Sequence, residues 1–253
     1  MDGCVERQER KSSRILGLYR HSRVLSFFVD HMREAQRLRL NPQQAADEAH
    51  LLGVWNFENS VEREWQRHAL AVIANQIGRE RWGDALEIGC SEGVFTAELA
   101  QRCLSVTGYD ISPVGLARAA ERCGSYVNVR VGRLDVARDE IPGQYDLVFA
   151  MDVLWFVVGR KRRASIAPSL ARAVRNGGLL VFSDSRMPKW IRHPFWSLFF
   201  PMGADTWAKL LESVHGLTVV YKESYAYASK GQSIPGYWDK LFVIFRKEPA
   251  TYT

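Results

Sequence analysis

The chain has 253 residues, 47% of them hydrophobic and 25% charged, with a net charge of +6 from 34 Lys and Arg against 28 Asp and Glu. That length allows one large domain or two small ones, and the composition excludes a disordered chain. No apolar run approaches the ~18 residues that a membrane helix needs, and the opening MDGCVERQER has no apolar segment behind its charges, so no secretory signal is expected.

The four cysteines, Cys4, Cys90, Cys103 and Cys123, form no C-x-x-C pair. That spacing supports neither a thiolate metal site nor a disulfide scaffold, and it suits a reducing cytoplasm. The expectation is a cytoplasmic protein with no metal and no membrane partner. The basic balance leaves nucleic acid, an anionic substrate or plain solubility open as explanations.

In chain order, Arg14–Leu40 has broadly helical apolar spacing. Asn41-Pro42 reads as a helix start, with Pro in the first turn. Ser60 to about Ile77 is a second periodic stretch, with Trp65, Leu70, Val72 and Ile73 as its buried face. Ala85–Ile88 is a short apolar strand ended by Gly89, and Val94–Cys103 reads as a helix. Leu104–Tyr109 is a second strand stopped by Asp110. Ser112 caps a helix to about Cys123. Val127–Val131 and Tyr145–Met151 are the third and fourth strands. A helix from Lys161 to Arg175 is ended by Asn176-Gly177-Gly178, and Leu179–Ser183 is the fifth strand. This alternation means a parallel sheet with helices on both faces. After Ser183 the rhythm breaks into an aromatic, proline-broken stretch, a helix over Ala204–Val214, and strands at Leu217–Ser224 and Trp238–Arg246.

Chemistry centres on Glu87-Ile88-Gly89-Cys90-Ser91-Glu92-Gly93, between the first strand and its helix. Glycines there let a ligand approach the backbone closely. Gly89–Gly93 matches the G-x-S-x-G of a hydrolase nucleophile elbow literally, but no glycine-rich oxyanion loop precedes it, although His193 and His215 follow. The dinucleotide fingerprint G-x-G-x-x-G fails at two of its three glycines. Asp110 lies 17 residues after Gly93, where a carboxylate can accept hydrogen bonds from two ribose hydroxyls. Asp135 follows the third strand.

This ordered set, with Tyr145–Met151 and Val174–Val181, resembles the class I S-adenosylmethionine-dependent methyltransferases. Their loop reads acidic-x-G-x-G-x-G, and Ser91 stands at its middle glycine. The resemblance implies an α/β fold: a doubly wound, mostly parallel seven-stranded sheet of Rossmann-like type, with the last strand antiparallel. It implies S-adenosyl-L-methionine as cofactor and S-adenosyl-L-homocysteine as product. Leu86–Thr96, Trp55-Asn56-Phe57 and Asp152–Phe156 are similar to nodulation protein S-type methyltransferases, which methylate the free amine of an oligosaccharide signal. The similarity covers Val54–Ser183 and leaves out the N-terminal segment and Arg186–Met202.

The expected organisation is an N-terminal helical cover over residues 1–80 and a methyltransferase domain over 81–253, with an aromatic insertion at 186–203. The resemblance assigns cofactor binding to Glu87, Gly89, Cys90, Ser91, Gly93, Asp110 and Asp135, with neighbours Ile111, Val136, Met151 and Trp55. Phe57, Trp155, Trp190 and Trp196 are the expected acceptor contacts. Asp152, just past the fourth strand, is the expected catalytic base; its alternative role is a helix N-cap. His193 is a second candidate base, against a plain loop histidine. Glu64 is a candidate for the methionyl amine. Cys90 is expected to fit the turn rather than to react.

The acceptor is expected to be a small molecule, through an amine or hydroxyl of a sugar or a natural-product-like metabolite. A nucleic-acid or protein methyltransferase, or a non-catalytic binding protein of the same fold, is the alternative. The aromatics of the insertion serve as a substrate lid or a homo-oligomer contact. Arg160–Arg163, Arg172 and Arg175 read as solvated helix charge, with no nucleic-acid module beside them. Met1–Leu40 carries nine Lys and Arg against five Asp and Glu, so the basicity lies outside the cofactor loop.

Overall fold

A computed structural model describes residues 36, 37, 40–53, 58, 60–77, 82–157, 165–186, 203–225 and 239–249. Helices α1 (Pro42–Leu51) and α2 (Ser60–Ile77) precede β1 (Trp82–Ile88), α3 (Val94–Ala100), β2 (Cys103–Asp110), α4 (Pro113–Cys123), β3 (Val129–Arg133) and β4 (Tyr145–Met151). A 3-10 turn at Leu154–Phe156, α5 (Ile166–Ala173), β5 (Val174–Ser185), α6 (Ala204–Glu212), β6 (Leu217–Tyr225) and β7 (Lys240–Lys247) follow. The strands form one seven-stranded sheet in the order β3-β2-β1-β4-β5-β7-β6. β1 to β5 run parallel, and β7 lies antiparallel between β5 and β6. The expected fold class is therefore the observed one.

Each face of the sheet carries its own core. On one, Leu170 of α5 and Trp207 and Leu211 of α6 join Leu86, Val148, Phe182 and Phe245. On the other, Trp65, Leu70 and Ile73 of α2 join Phe95, Phe149, Val181 and Phe242. Trp65 meets Phe242 edge to face at 5.3 Å and Tyr225 at 4.8 Å. Burying such a ring fastens α2 to the sheet, and truncating it to Ala costs ~3–5 kcal/mol. The expected buried face of α2 is confirmed, so part of the helical cover shares the core of the sheet.

The helix starts read from the sequence hold. Asn41 Oδ1 accepts from the Gln44 amide at 3.3 Å, and Ser112 Oγ accepts from the Gly115 amide at 3.1 Å. Some boundaries differ. β1 begins at Trp82, because Trp82 and Asp84 already pair with Cys103 and Ser105. α3 stops at Ala100 for the same reason. β3 starts at Val129, because Asn128 spends its side-chain amide on Ala100 O (2.9 Å) and Cys103 O (3.1 Å) in the turn before it.

The largest correction concerns Asn176-Gly177-Gly178, which does not end a helix. α5 ends at Ala173, and Val174 already pairs with Tyr145 as strand. The glycines sit in an irregularity between the Tyr145–Val174 and Leu147–Leu179 pairs. Gly177 takes φ +80, which glycine adopts without strain. Arg175 ties this irregularity to the neighbouring strands through Asp84 and Asp146, each at 2.8 Å. The first part of the expected helix, residues 161–164, lies outside the described residues, as does the expected strand start at Trp238.

Candidate active site

The carboxyl ends of β1, β2 and β4 meet at the Gly89–Gly93 turn. Gly89 and Cys90 both donate to Tyr109 O, at 2.7 and 3.1 Å, so the turn leans on the end of β2. Gly89 (φ +79), Ser91 (φ 51) and Gly93 (φ 76) all lie in the left-handed region. A Cβ at Gly89 would come within 2.5 Å of the Val153 side chain. The middle residue, Ser91, bears the strain that the flanking glycines avoid.

Asp110 offsets that strain. Its Oδ2 accepts from the Ser91 amide and its Oδ1 from the Ser112 amide, both at 2.8 Å. Burial pushes this carboxyl up, and the two amide bonds oppose the shift. Glu87 is buried beneath the turn and accepts from Thr96 Oγ1 at 2.6 Å. Burial pushes its carboxyl up to about 8, against the Thr96 bond and with the help of the Asp110 charge. Burial, Glu87 and Asp110 together push the Cys90 thiol up, away from the thiolate form that reacts. Ser91 Oγ has no hydrogen-bond partner among the described residues. An elbow nucleophile needs a base at that oxygen, so the hydrolase reading finds no support here.

Two clefts open on the turn. The first, of about 780 Å³ with its mouth, runs between Asp110, Ile111, Asp135 and Val136 on one side and Val153, Phe156 and Val157 on the other, with Pro42 and Ala46 of α1 as its roof. The second, of about 490 Å³, is lined by Glu62, Trp65 and Gln66 of α2 and by Glu87, Cys90, Phe95 and Met151. Gly89, Ser91 and Asp152 line both, so the clefts meet there. The first is largely apolar and carries the carboxylates of Asp110, Asp135 and Asp152, an apolar wall with a few polar groups of the kind a nucleoside needs. Trp65 Nε1, like Ser91 Oγ, is buried with no partner among the described residues, and both residues line the second cleft. A ligand's polar atoms would satisfy both groups.

α1 is fixed over the first cleft by polar contacts. Asp47 Oδ1 accepts from Ser112 Oγ at 2.5 Å. Gln43 Oε1 accepts from Arg133 at 2.7 Å. His50 Nδ1 meets Glu92 Oε1 at 3.3 Å, and Arg118 pairs with the same carboxylate.

Asp152 has φ 57, and its amide donates to Ser183 O at 2.8 Å. It caps no helix: the following 3-10 turn has Val153 at its N-cap with no side-chain bond. Instead Asp152 Oδ2 lies 2.5 Å from Lys240 Nζ, at the start of β7. Lys240 Nζ also lies 3.4 Å from Glu62 Oε2 and 5.6 Å over the Trp65 ring. Asp184, fully buried on β5, accepts from the Trp155 and Ser185 amides at 2.7 and 2.8 Å.

The structure thus brings together Glu87, Gly89, Cys90, Ser91, Asp110, Ile111, Asp135, Val136, Met151 and Asp152 around the clefts. Gly93 stands behind them as the N-cap of α3. Asp135 holds its own turn, accepting from Ala137 N at 3.0 Å. Trp155 is half-buried in the 3-10 turn and lines neither cleft. Trp55, Phe57, Trp190, His193 and Trp196 lie outside the described residues. Glu64 does not line the second cleft; Glu62 does, because it shares a helix face with Trp65 three residues on. Sequence reasoning also missed Asp184 and Lys240. Their signal was available: each is a charge at the edge of an apolar strand run.

Among the described residues no group of three or more His, Cys, Asp or Glu is arranged to hold a metal ion. Nor is any described helix long and apolar enough to cross a membrane.

A family model described as nodulation protein S (NodS) matches residues 39–216, well over half of the chain. The chain belongs to this family. Nodulation protein S of Rhizobium tropici is 28% identical over 148 residues, 58% of this chain and 59% of that protein. Nodulation protein S of Azorhizobium caulinodans is 24% identical over 132 residues, covering 52% of this chain and 62% of that one. The chain therefore spans about three fifths of these relatives. Ubiquinone biosynthesis O-methyltransferase of Pseudomonas aeruginosa is 30% identical over 169 residues, 61% of this chain and 69% of that one. The crystal structure of N-methyltransferase NodS from Bradyrhizobium japonicum WM9 with S-adenosyl-L-homocysteine shares the fold, with a TM-score of 0.67 at 23% identity over 81% of this chain and 99% of that one. The fold and family are those of S-adenosylmethionine-dependent methyltransferases.

Proposed function

We propose that this chain transfers the methyl group of S-adenosylmethionine to the amine of a small polar acceptor, on a sugar or a natural-product-like metabolite, in the cytoplasm. The observation that carries it is the junction of two clefts, one largely apolar beside Asp110 and one beside Glu62 and Glu87, at Gly89, Ser91 and Asp152. When bound, the cofactor supplies a methyl group already activated on a sulfonium. The chain's own residues then position and handle protons. Asp110 offers its remaining lone pairs to the ribose hydroxyls. Ser91 Oγ and Trp65 Nε1 gain polar partners in the second cleft. Asp152 would accept the proton that the acceptor nitrogen loses as it takes the methyl group.

The nodulation protein S relatives support a nitrogen acceptor; the O-methyltransferase relatives support a hydroxyl. Labelled methyl transfer decides between them, with glucosamine, short chitosan oligomers, catechol and bulk tRNA as acceptors. Label on the amino sugars is expected. Label on catechol alone moves the acceptor to oxygen. Label on tRNA, or none with homocysteine-product binding retained, overturns the small-molecule enzyme.

A further inference from the structure

Lys240 is a costly residue at its position. Its side chain is 5% exposed, and the next five residues of β7, Leu241–Phe245, are all buried and apolar. Burying an ammonium needs strong compensation, and a well-packed apolar side chain would serve stability as well or better. The compensation comes from three elements at once: Asp152 after β4 at 2.5 Å, Glu62 of α2 at 3.4 Å, and the face of Trp65.

The carboxylates around it differ in readiness to carry charge. Burial first, and the Asp152 charge second, push the Asp184 carboxyl well up. Burial also raises Glu62, with Lys240 opposing. The ammonium lies nearer to Asp152, at 2.5 Å, than to Glu62, at 3.4 Å, and is matched chiefly to it. The Asp152 backbone is fixed by its left-handed φ and its bond to Ser183 O, while Lys240 fixes the side chain. The fixed carboxylate lines both clefts, beside the unpartnered Ser91 Oγ and Trp65 Nε1. A ligand's reacting end belongs at this place.

We infer that Lys240 is a positioning residue for methyl transfer: its ammonium, held also by Glu62 of α2, holds the Asp152 carboxylate at the junction of the two clefts. This rests on the reading of Asp152 as the proton acceptor. It adds a second requirement, that the carboxylate be held by a cation from the antiparallel strand.

The test uses the full chain with chitosan oligomers as acceptor. It compares wild type with Lys240→Met and Lys240→Arg, and measures affinity for S-adenosylhomocysteine by calorimetry. Lys240→Met is expected to lower kcat by about tenfold or more, with cofactor-product affinity changed by less than about threefold. Lys240→Arg, which restores the cation, is expected to recover most of the loss. A folded Lys240→Met that keeps wild-type kcat overturns the inference, as does an equal loss in Lys240→Arg and Lys240→Met. If Lys240→Met fails to fold, Glu62→Gln carries the test: a lower kcat at unchanged cofactor-product affinity supports the anchor, and an unchanged kcat overturns it. A wild-type chain that binds S-adenosylhomocysteine but methylates none of glucosamine, chitosan oligomers and catechol removes the functional reading, and the inference with it.

Discussion

Asp110 Oδ2 accepts the Ser91 amide at 2.8 Å, so the carboxylate that faces the first cleft also holds the strained residue of the glycine turn. One side chain at the end of β2 therefore sets the shape of the loop at the end of β1. Asp110→Asn turns one of two accepting oxygens into a donor opposite a backbone N–H. The expected cost is ~1–3 kcal/mol of stability together with a tenfold or greater loss in S-adenosylhomocysteine affinity. Thermal unfolding and calorimetry on the same preparation check both; a loss of stability with affinity intact would separate the two roles.

Gly89 has no room for a side chain. A Cβ there would meet Val153 at 2.5 Å, in a backbone conformation with φ +79. Gly89→Ala is expected to displace Val153 and its neighbour Asp152, cost ~2 kcal/mol or more, and abolish cofactor-product binding. Gly177→Ala shares the positive φ but has open space around its Cβ. It should cost ~1 kcal/mol and leave binding alone.

Glu87 makes stability depend on pH. Its folded carboxyl titrates at about 8, against an ordinary 4.5. Between those values the folded chain holds a proton that the unfolded chain has released. Stability from this group is thus fully present below 4.5 and is lost as pH rises through 8, by about 5 kcal/mol at most. Glu87→Gln keeps an acceptor for Thr96 and removes the titration. Its melting temperature relative to wild type should rise between about pH 5.5 and about pH 8. A pH-independent difference would mean that Glu87 stays ionised in the folded chain.

Arg175 is the contrasting case at the far end of the sheet. Its pairs with Asp84 and Asp146 join side chains exposed by 42%, 38% and 43%. Arg175→Ala is expected to cost less than ~1 kcal/mol, to lose its effect in high salt, and to leave cofactor-product affinity unchanged. A large effect would show that the irregularity in β5 depends on this arginine.

Local pattern carried the sheet and the glycine turn of the candidate site. Glu87, Gly89, Ser91, Gly93 and Asp110 are legible because one short turn needs positive φ and a carboxylate at a fixed distance along the chain. The rest of the candidate site comes from residues far apart in sequence. Glu62, Asp152, Asp184 and Lys240 come together only when α2 packs beside an antiparallel β7 inserted between β5 and β6. Asn176-Gly177-Gly178 misleads for a related reason. It carries the local signature of a helix end, but pairing with β4 recruits Val174 into the strand before the glycines are reached.

α1 forms part of the wall of the first cleft through Pro42 and Ala46, and it rests on α4 through Asp47 and Ser112. A ligand that fills the cleft touches the helix and the sheet at once. Binding and helix docking are then two faces of one equilibrium, and each must favour the other by the same factor. The spent nucleoside should slow amide hydrogen exchange in α1 about as much as it slows exchange in the glycine turn. An acceptor confined to the second cleft has no such contact and should leave α1 exchange as it was.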